Sequence, residues 1–333
     1  MIMDDGTNPT AATALGTPRI VVIGAGAVGG VFGGRLARAG CDVTFVARGA
    51  TLDALRRDGL VVHAYDGDWA LDPVLTAATP ADAGVADVVL VAVKAEQVAA
   101  LAPTLRPLLH ESTLVLPMQN GVDASDELAT VLGAAHVLDG FCGVLAEQES
   151  PGVIRHAGIV PRLVFAPRAD APASTRSHAR ISWLAGRMRA AGMEADTPDD
   201  ARAGTWEKLL FVSPLGSVGA AARATFGELL GTPETRALLE RCTREIVAVA
   251  NAYGVTLGDR EVARVWARYA TMPARGTTSM QRDLVAGRPS ELEAQVGSVV
   301  RRAAARGVPV PAHDALYAVL RPQELRARAV SVA

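Results

Sequence analysis

The sequence predicts an α/β chain in two parts: a doubly wound parallel sheet in the N-terminal half, then an all-helical C-terminal domain. Three observations predict it. Short runs rich in Val and Leu alternate with helical or loop segments through the first half, as in a parallel sheet wrapped by helices and buried on both faces. The first run opens straight into a glycine-rich turn and a helical pattern. From about Pro198 strand candidates stop, and long Ala/Arg/Glu-rich stretches of helical period take over. The 333 residues suit two units, since single cores tend to stop growing at ~250–300 residues.

Residues 1–18 hold Asp4, Asp5, Gly, Pro, Thr and Ala, with no basic residue before an apolar core. They read as a flexible tail and not as a secretory signal. The sheet unit is expected over 19–197 and the helical unit over 198–333, with the boundary within Gly192–Ala201. Expected strands are Ile20–Ile23, Val43–Ala47, Val88–Val93, Thr113–Leu116 and Val137–Gly143. Gly152–His156 and Val160–Ala166 read as antiparallel extensions or a small flap, and Ala169–Ser177 as a surface loop. Expected helices are Ala203–Phe211, Pro233–Tyr253, Asp259–Thr271 and Glu291–Arg306. No internal repeat is present.

The turn after the first strand is Gly24-Ala25-Gly26-Ala27-Val28-Gly29. Its glycines serve a tight turn, close backbone approach to a pyrophosphate, and close packing of helix on strand. The helix start offers unpaired N–H groups and a positive dipole end. Together with the flanking strands this predicts a Rossmann-type dinucleotide site. An NAD-preferring site usually has an acid about 20 residues on, at the end of the second strand. Here Arg48 follows Ala47. A guanidinium pairs with a 2′-phosphate in a bidentate, charged way, so NADPH is the expected cofactor.

Bulk properties exclude other classes. Hydrophobic residues make up 50% of the chain and charged residues 20%, with a net charge of −2, as in ordinary globular proteins. There is no basic stripe for nucleic acid or an anionic membrane, and Arg301, Arg302 and Arg306 read as a solvated helix face. No apolar run reaches the ~18 residues of a membrane span. Cys41, Cys142 and Cys242 are far apart and read as reduced thiols of a cytoplasmic protein. The histidines form no pair at metal-ligand spacing, so no metal is expected.

Ligands of open α/β sheets gather beyond the carboxyl ends of the strands. Lys94 and Gln97 fall there, as do Gln119-Asn120-Gly121, although Asn-Gly alone is also a turn signal. In Thr205-Trp206-Glu207-Lys208-Leu209-Leu210-Phe211, one lysine sits in an otherwise apolar helix. It either snorkels to solvent or is held half-buried, where it can polarise a carbonyl and deliver a proton. Ser290 and Glu293 have capping-box spacing, which gives Glu293 a structural role and puts Glu291 at the helix start. Thr277, Thr278 and Ser279 offer hydroxyls near another helix start, a place that can bind a substrate carboxylate.

In their order along the chain, Gly24–Gly29, Val93-Lys94-Ala95-Glu96-Gln97, Gln119-Asn120-Gly121, Trp206-Glu207-Lys208-Leu209, Ser279-Met280, Asp283 and Glu291 resemble the ketopantoate reductase family, from Arg19 to about Leu320. The resemblance implies NADPH-dependent reduction of a small-molecule 2-oxo acid in a cleft between the two units. It implies Lys208 as general acid on the ketone oxygen and Glu291 as holder of the substrate's distal hydroxyl. Ser279 would touch the carboxylate, Asn120 would line the nicotinamide and substrate side, and Lys94 and Gln97 would lie near the cofactor. Arg48 matches the family's 2′-phosphate arginine. A homodimer through the helical part is a further expectation.

One departure stands out. The family asparagines four and eight residues after the lysine are here Val212 and Gly216. Ser213 or Ser217 could substitute, though one residue along a helix turns a side chain by ~100°, and Pro214 could shift the helix. A relative acting on a more apolar, branched or aromatic 2-oxo acid is therefore the alternative within the class. A non-catalytic NADP-binding regulator would need neither Lys208 nor Glu291. The 3-hydroxyacid dehydrogenases share the layout but pair a helix lysine with an asparagine where Val212 stands.

Overall fold

A computed structural model describes residues 18–172 and 178–332. The expected tail up to Thr17, and the 173–177 part of the expected surface loop, lie outside the described residues.

The strands are β1 (Arg19–Ile23), β2 (Asp42–Val46), β3 (Leu60–Ala64), β4 (Trp69–Leu71), β5 (Leu75–Ala77), β6 (Val88–Val91), β7 (Leu114–Pro117), β8 (Leu138–Gly143), β9 (Ala146–Ser150), β10 (Val153–His156), β11 (Arg162–Pro167) and β12 (Glu194–Asp196). A five-stranded parallel sheet has the order β5-β2-β1-β6-β7. Alternate residues of β1 enter two different cores: Ile20 and Val22 pack on one face, Val21 and Ile23 on the other. That two-sided burial is why the run is continuously apolar. The order reverses between β1 and β6, the switch point where open sheets hold ligands.

The helices here are α1 (Ala27–Arg38), α2 (Gly49–Asp58), the short α3 (Pro80–Ala83) and α4 (Val98–Leu101), α5 (Ala124–Leu132) and α6 (His178–Ala190). The two expected extensions both pair, and in mixed fashion. β10 runs antiparallel to β9 and parallel to β3, in a sheet ordered β4-β3-β10-β9. β11 runs antiparallel to β8 and parallel to β12. Sequence periodicity missed β9 because its residues are almost all exposed, so it carries no apolar alternation.

Beyond Asp196 the described residues form helices and loops: α7 (Arg202–Ala222), α8 (Phe226–Gly231), α9 (Pro233–Ala252), α10 (Asp259–Tyr269), α11 (Ser279–Val285), α12 (Ser298–Arg306) and α13 (Pro311–Val332). A single π-helical turn, Glu293–Gly297, leads into α12. The central helix is α7, packed on α9, α11 and α13. It runs past the expected end at Phe211 and through Pro214 to Ala222. Pro214 has no N–H for the Leu210 carbonyl. The buried Tyr269 hydroxyl replaces it, donating to Phe211 O at 2.9 Å and Leu210 O at 3.3 Å.

Candidate active site

The glycine turn leaves β1 and enters α1 with Gly26 as N-cap. No side chain caps that end, and its first turn holds no acid. The first-turn N–H groups are thus available to an anion. A Cβ on Gly29 would lie 1.9 Å from the Gly24 carbonyl oxygen, so only glycine fits. A Cβ on Gly26 would face open space, with Gln148 Oε1 its nearest neighbour at 3.8 Å. The turn therefore has room for a dinucleotide pyrophosphate. Arg48 is exposed and N-caps α2, whose first turn has no acid either. Gln148 of β9, which gave no signal in the sequence, also donates to Thr51 Oγ1 at 3.3 Å.

Past β6, Lys94 reaches across to the helical part, its Nζ donating to Pro289 O at 3.0 Å. Gln97 ends the following 3-10 turn and is exposed. Past β7, buried Gln119 donates through Nε2 to Val91 O and Val93 O, each at 2.8 Å. Asn120 Nδ2 donates to Glu291 Oε2 at 2.7 Å. Gly121 has φ +98°, and a Cβ there would lie 2.5 Å from Ala294 O. Glycine lets the loop press against the π-turn so that Asn120 meets Glu291.

Lys208 is half-buried on α7. Its Nζ donates to the Cys142 carbonyl at the end of β8, which settles the two sequence readings in favour of a lysine turned inward. Burial pushes the Cys142 thiol up; the Lys208 ammonium lowers it and the Glu291 carboxylate raises it. Glu207, the preceding residue, faces the other way and pairs with Arg264 at 2.7 Å.

The segment carrying Glu291 is held differently from expectation. Ser290 and Glu293 form no capping box. Ser290 N–H and Oγ donate instead to Glu324 of α13, the hydroxyl at 2.6 Å, and Glu324 is 1% exposed. Glu293 is engaged by Tyr317 at 2.9 Å, Arg301 at 3.0 Å and Arg321. The Ser290 oxygen still accepts from Leu292 N–H at 3.2 Å, while the donors a capping box would direct to Glu293 go to a buried carboxylate on a distant helix. One turn on, Gln295 Nε2 donates to the same Glu291 Oε2 at 3.1 Å.

Neither serine replaces the absent asparagines. Ser213 and Ser217 are both 0% exposed. Ser213 Oγ donates to Gln295 O at 3.0 Å and Ser217 Oγ to Ser213 O at 2.8 Å, so both hydroxyls are engaged in packing. Val212 is half-buried against the helical core. A Cβ on Gly216 would meet Met280 Cε at 2.6 Å and Thr278 Oγ1 at 3.1 Å. Ser279 is exposed in the first turn of α11, whose N-cap Thr278 accepts from Gln281 N–H. Asp283 pairs with Arg288 at 2.8 Å.

Asn120, Lys208 and Glu291 thus converge at the strand ends, with Lys94 bonded to the loop beside Glu291. Arg48 and Gly24–Gly29 lie at the β1 and β2 ends. Arg302 is not part of a solvated face. Its side chain is 15% exposed and pairs with Asp123 at 2.6 Å and Asp126 at 2.7 Å, just past Asn120. Gln295, Glu324 and Arg302 were missed. Only Gln295 had a local signal, its position four residues after Glu291, which puts both on one helix face. Among the described residues no His, Cys, Asp and Glu cluster could hold a metal ion, and no helix is long and apolar enough to cross a membrane.

Comparison with known proteins adds family evidence. The family model "Ketopantoate reductase PanE/ApbA" matches residues 20–169, and its C-terminal counterpart matches 200–324. A 2-dehydropantoate 2-reductase from Mesorhizobium japonicum is 32% identical, covering 91% of this chain and 97% of its own. One from a Nostoc species is 29% identical, covering 90% and 93%. The crystal structure of a PanE/ApbA family ketopantoate reductase from Ralstonia eutropha superposes with a TM-score of 0.83 at 32% identity, covering 93% of this chain and 99% of that one.

Proposed function

Because the chain belongs to the ketopantoate reductase family, we propose that it reduces a 2-oxo acid to the 2-hydroxy acid with NADPH, 2-dehydropantoate going to pantoate. The observation that carries this reading is that Lys208 of α7 and Glu291, in the bend before the π-turn, both reach the strand ends, Lys208 at the Cys142 carbonyl and Glu291 at Asn120. When bound, the reduced nicotinamide supplies the hydride that the carbonyl carbon accepts.

The protein's own groups do the rest. The Gly24–Gly29 amides hold the pyrophosphate and Arg48 the 2′-phosphate, with Lys94 and Gln97 beside the cofactor. Lys208 leaves the Cys142 carbonyl for the ketone oxygen and gives it a proton as the carbon gains hydride. The product hydroxyl then carries that proton, and Lys208 recovers one from solvent. Glu291, steadied by Asn120, accepts the substrate's distal hydroxyl, while Ser279 donates to its carboxylate.

A second reading has its own support. With Ser213 and Ser217 engaged in packing, Val212 and Gly216 leave an apolar stretch of α7, which suits a branched or aromatic 2-oxo acid. The test is NADPH oxidation by purified protein with 2-dehydropantoate beside such acids, repeated with Lys208→Ala. The variant should lose about 10²–10⁴-fold in kcat and keep its NADPH affinity. Unchanged turnover would remove Lys208 from the chemistry. Tight NADPH binding with no acid reduced would leave a regulator.

A further inference from the structure

The side chain of Gln295 is 2% exposed yet ends in an acceptor with no partner, Oε1. That oxygen lies 3.7 Å from where a Gly216 Cβ would stand, at one of the positions where the family pattern has an asparagine. Its other amide atom is occupied. Nε2 donates to Glu291 Oε2 at 3.1 Å, the oxygen that Asn120 Nδ2 reaches at 2.7 Å. Two donors on one oxygen hold the carboxylate in a single orientation and leave Glu291 Oε1 without a hydrogen bond among the described residues. The glutamine is itself fixed, because Ser213 Oγ donates to its backbone carbonyl at 3.0 Å. A π-turn sets its direction, an irregularity common at functional sites.

The surroundings make the choice of residue informative. Met280, Leu292 and Val296 are each 0% exposed in the adjoining core. A leucine or methionine would fit such company, whereas a buried carbonyl oxygen without a donor is destabilising. Resting on the reductase reading above, we infer that Gln295 is a specificity-determining residue. It positions Glu291 through its N–H and offers its own carbonyl oxygen as a further acceptor. Gln295 Oε1 and Glu291 Oε1 are then two unbonded acceptors on one segment, and a 2-oxo acid bearing a hydroxyl satisfies them where a wholly apolar acid does not. The amide lost from α7 is supplied from the opposite element.

The test compares 2-dehydropantoate with the same acid ending in methyl instead of hydroxymethyl, for the unaltered protein and for Gln295→Met. The ratio of the two kcat/KM values, hydroxylated over hydroxyl-free, should fall by about tenfold or more. A rise in KM for the hydroxylated acid should carry most of the change, with the hydroxyl-free acid and NADPH affinity altered less than about twofold. An unchanged ratio, or equal losses on both acids, overturns the assignment of Gln295. Failure of the unaltered protein to reduce either acid overturns the reductase reading instead, so the two failures are distinct. If Gln295→Met does not fold, Gln295→Glu keeps an acceptor but sets two carboxylates together. An extra ionisation in the pH profile of kcat/KM for the hydroxylated acid alone supports the assignment; identical profiles for both acids overturn it.

Discussion

Replacing Tyr269 by phenylalanine isolates the contact that lets α7 pass through Pro214, six residues beyond Lys208. The ring stays, with its neighbours Phe211 and Trp266 each at 5.4 Å between centroids. Only the hydroxyl goes, and with it the donor to Phe211 O at 2.9 Å and Leu210 O at 3.3 Å. Burial pushes that phenol's ionisation well above its usual range, so it remains a donor at working pH. Leu210 is 0% exposed, so water does not replace the hydroxyl. A buried acceptor left bare costs ~1–3 kcal/mol. At ~2–4 °C per kcal/mol for a unit of this size, the midpoint of thermal unfolding should fall by roughly 2–12 °C. The decisive assay is a double-mutant cycle with Pro214→Ala, followed by thermal or urea unfolding. Alanine restores the N–H that Leu210 O lacks, so Tyr269→Phe should cost about 1 kcal/mol less there. An equal cost in both backgrounds would show that the hydroxyl does not stand in for the proline's missing donor.

Arg48→Ala should raise KM for NADPH about tenfold or more and leave that for NADH nearly unchanged; a parallel rise would refute the 2′-phosphate assignment. Glu245 of α9 ties down the start of α13, accepting from Ala312 N–H at 2.8 Å and from His313 Nδ1 at 2.7 Å. Burial works against its ionisation, but the His313 side chain and the Ala312 and His313 amides outweigh burial and hold the carboxyl below its usual range. A depressed carboxyl stabilises fully above the ordinary carboxyl range and loses that contribution as pH falls through and below it. Denaturation midpoints measured against pH should therefore drop in acid, and Glu245→Gln should flatten the drop; an unaltered slope would exclude Glu245 as its source.

Features legible in the sequence are those whose physics is local in the chain. The Gly24–Gly29 turn, the β1 run buried on both faces, the helical pattern that follows the turn and the placement of Arg48 after β2 all follow from neighbours within a few residues. Strand ends and an apolar helix single out Lys94, Asn120 and Lys208 as candidates, and their order along the chain carried the family resemblance. The failures share the opposite property. Ser290 and Glu293 have the spacing of a cap, but Glu324, far along the chain, takes both Ser290 donors. Arg302 reads as a solvated charge until Asp123 and Asp126 come beside it. Ser213 looks available until the fold engages its hydroxyl with Gln295 O. By itself the sequence determined the parallel sheet and the glycine turn after its first strand, since short-range sterics and burial periodicity are written residue by residue. Only the tertiary structure decided which partner each polar group meets, because burial removes water as the alternative and leaves each donor to whichever acceptor the packing brings within reach.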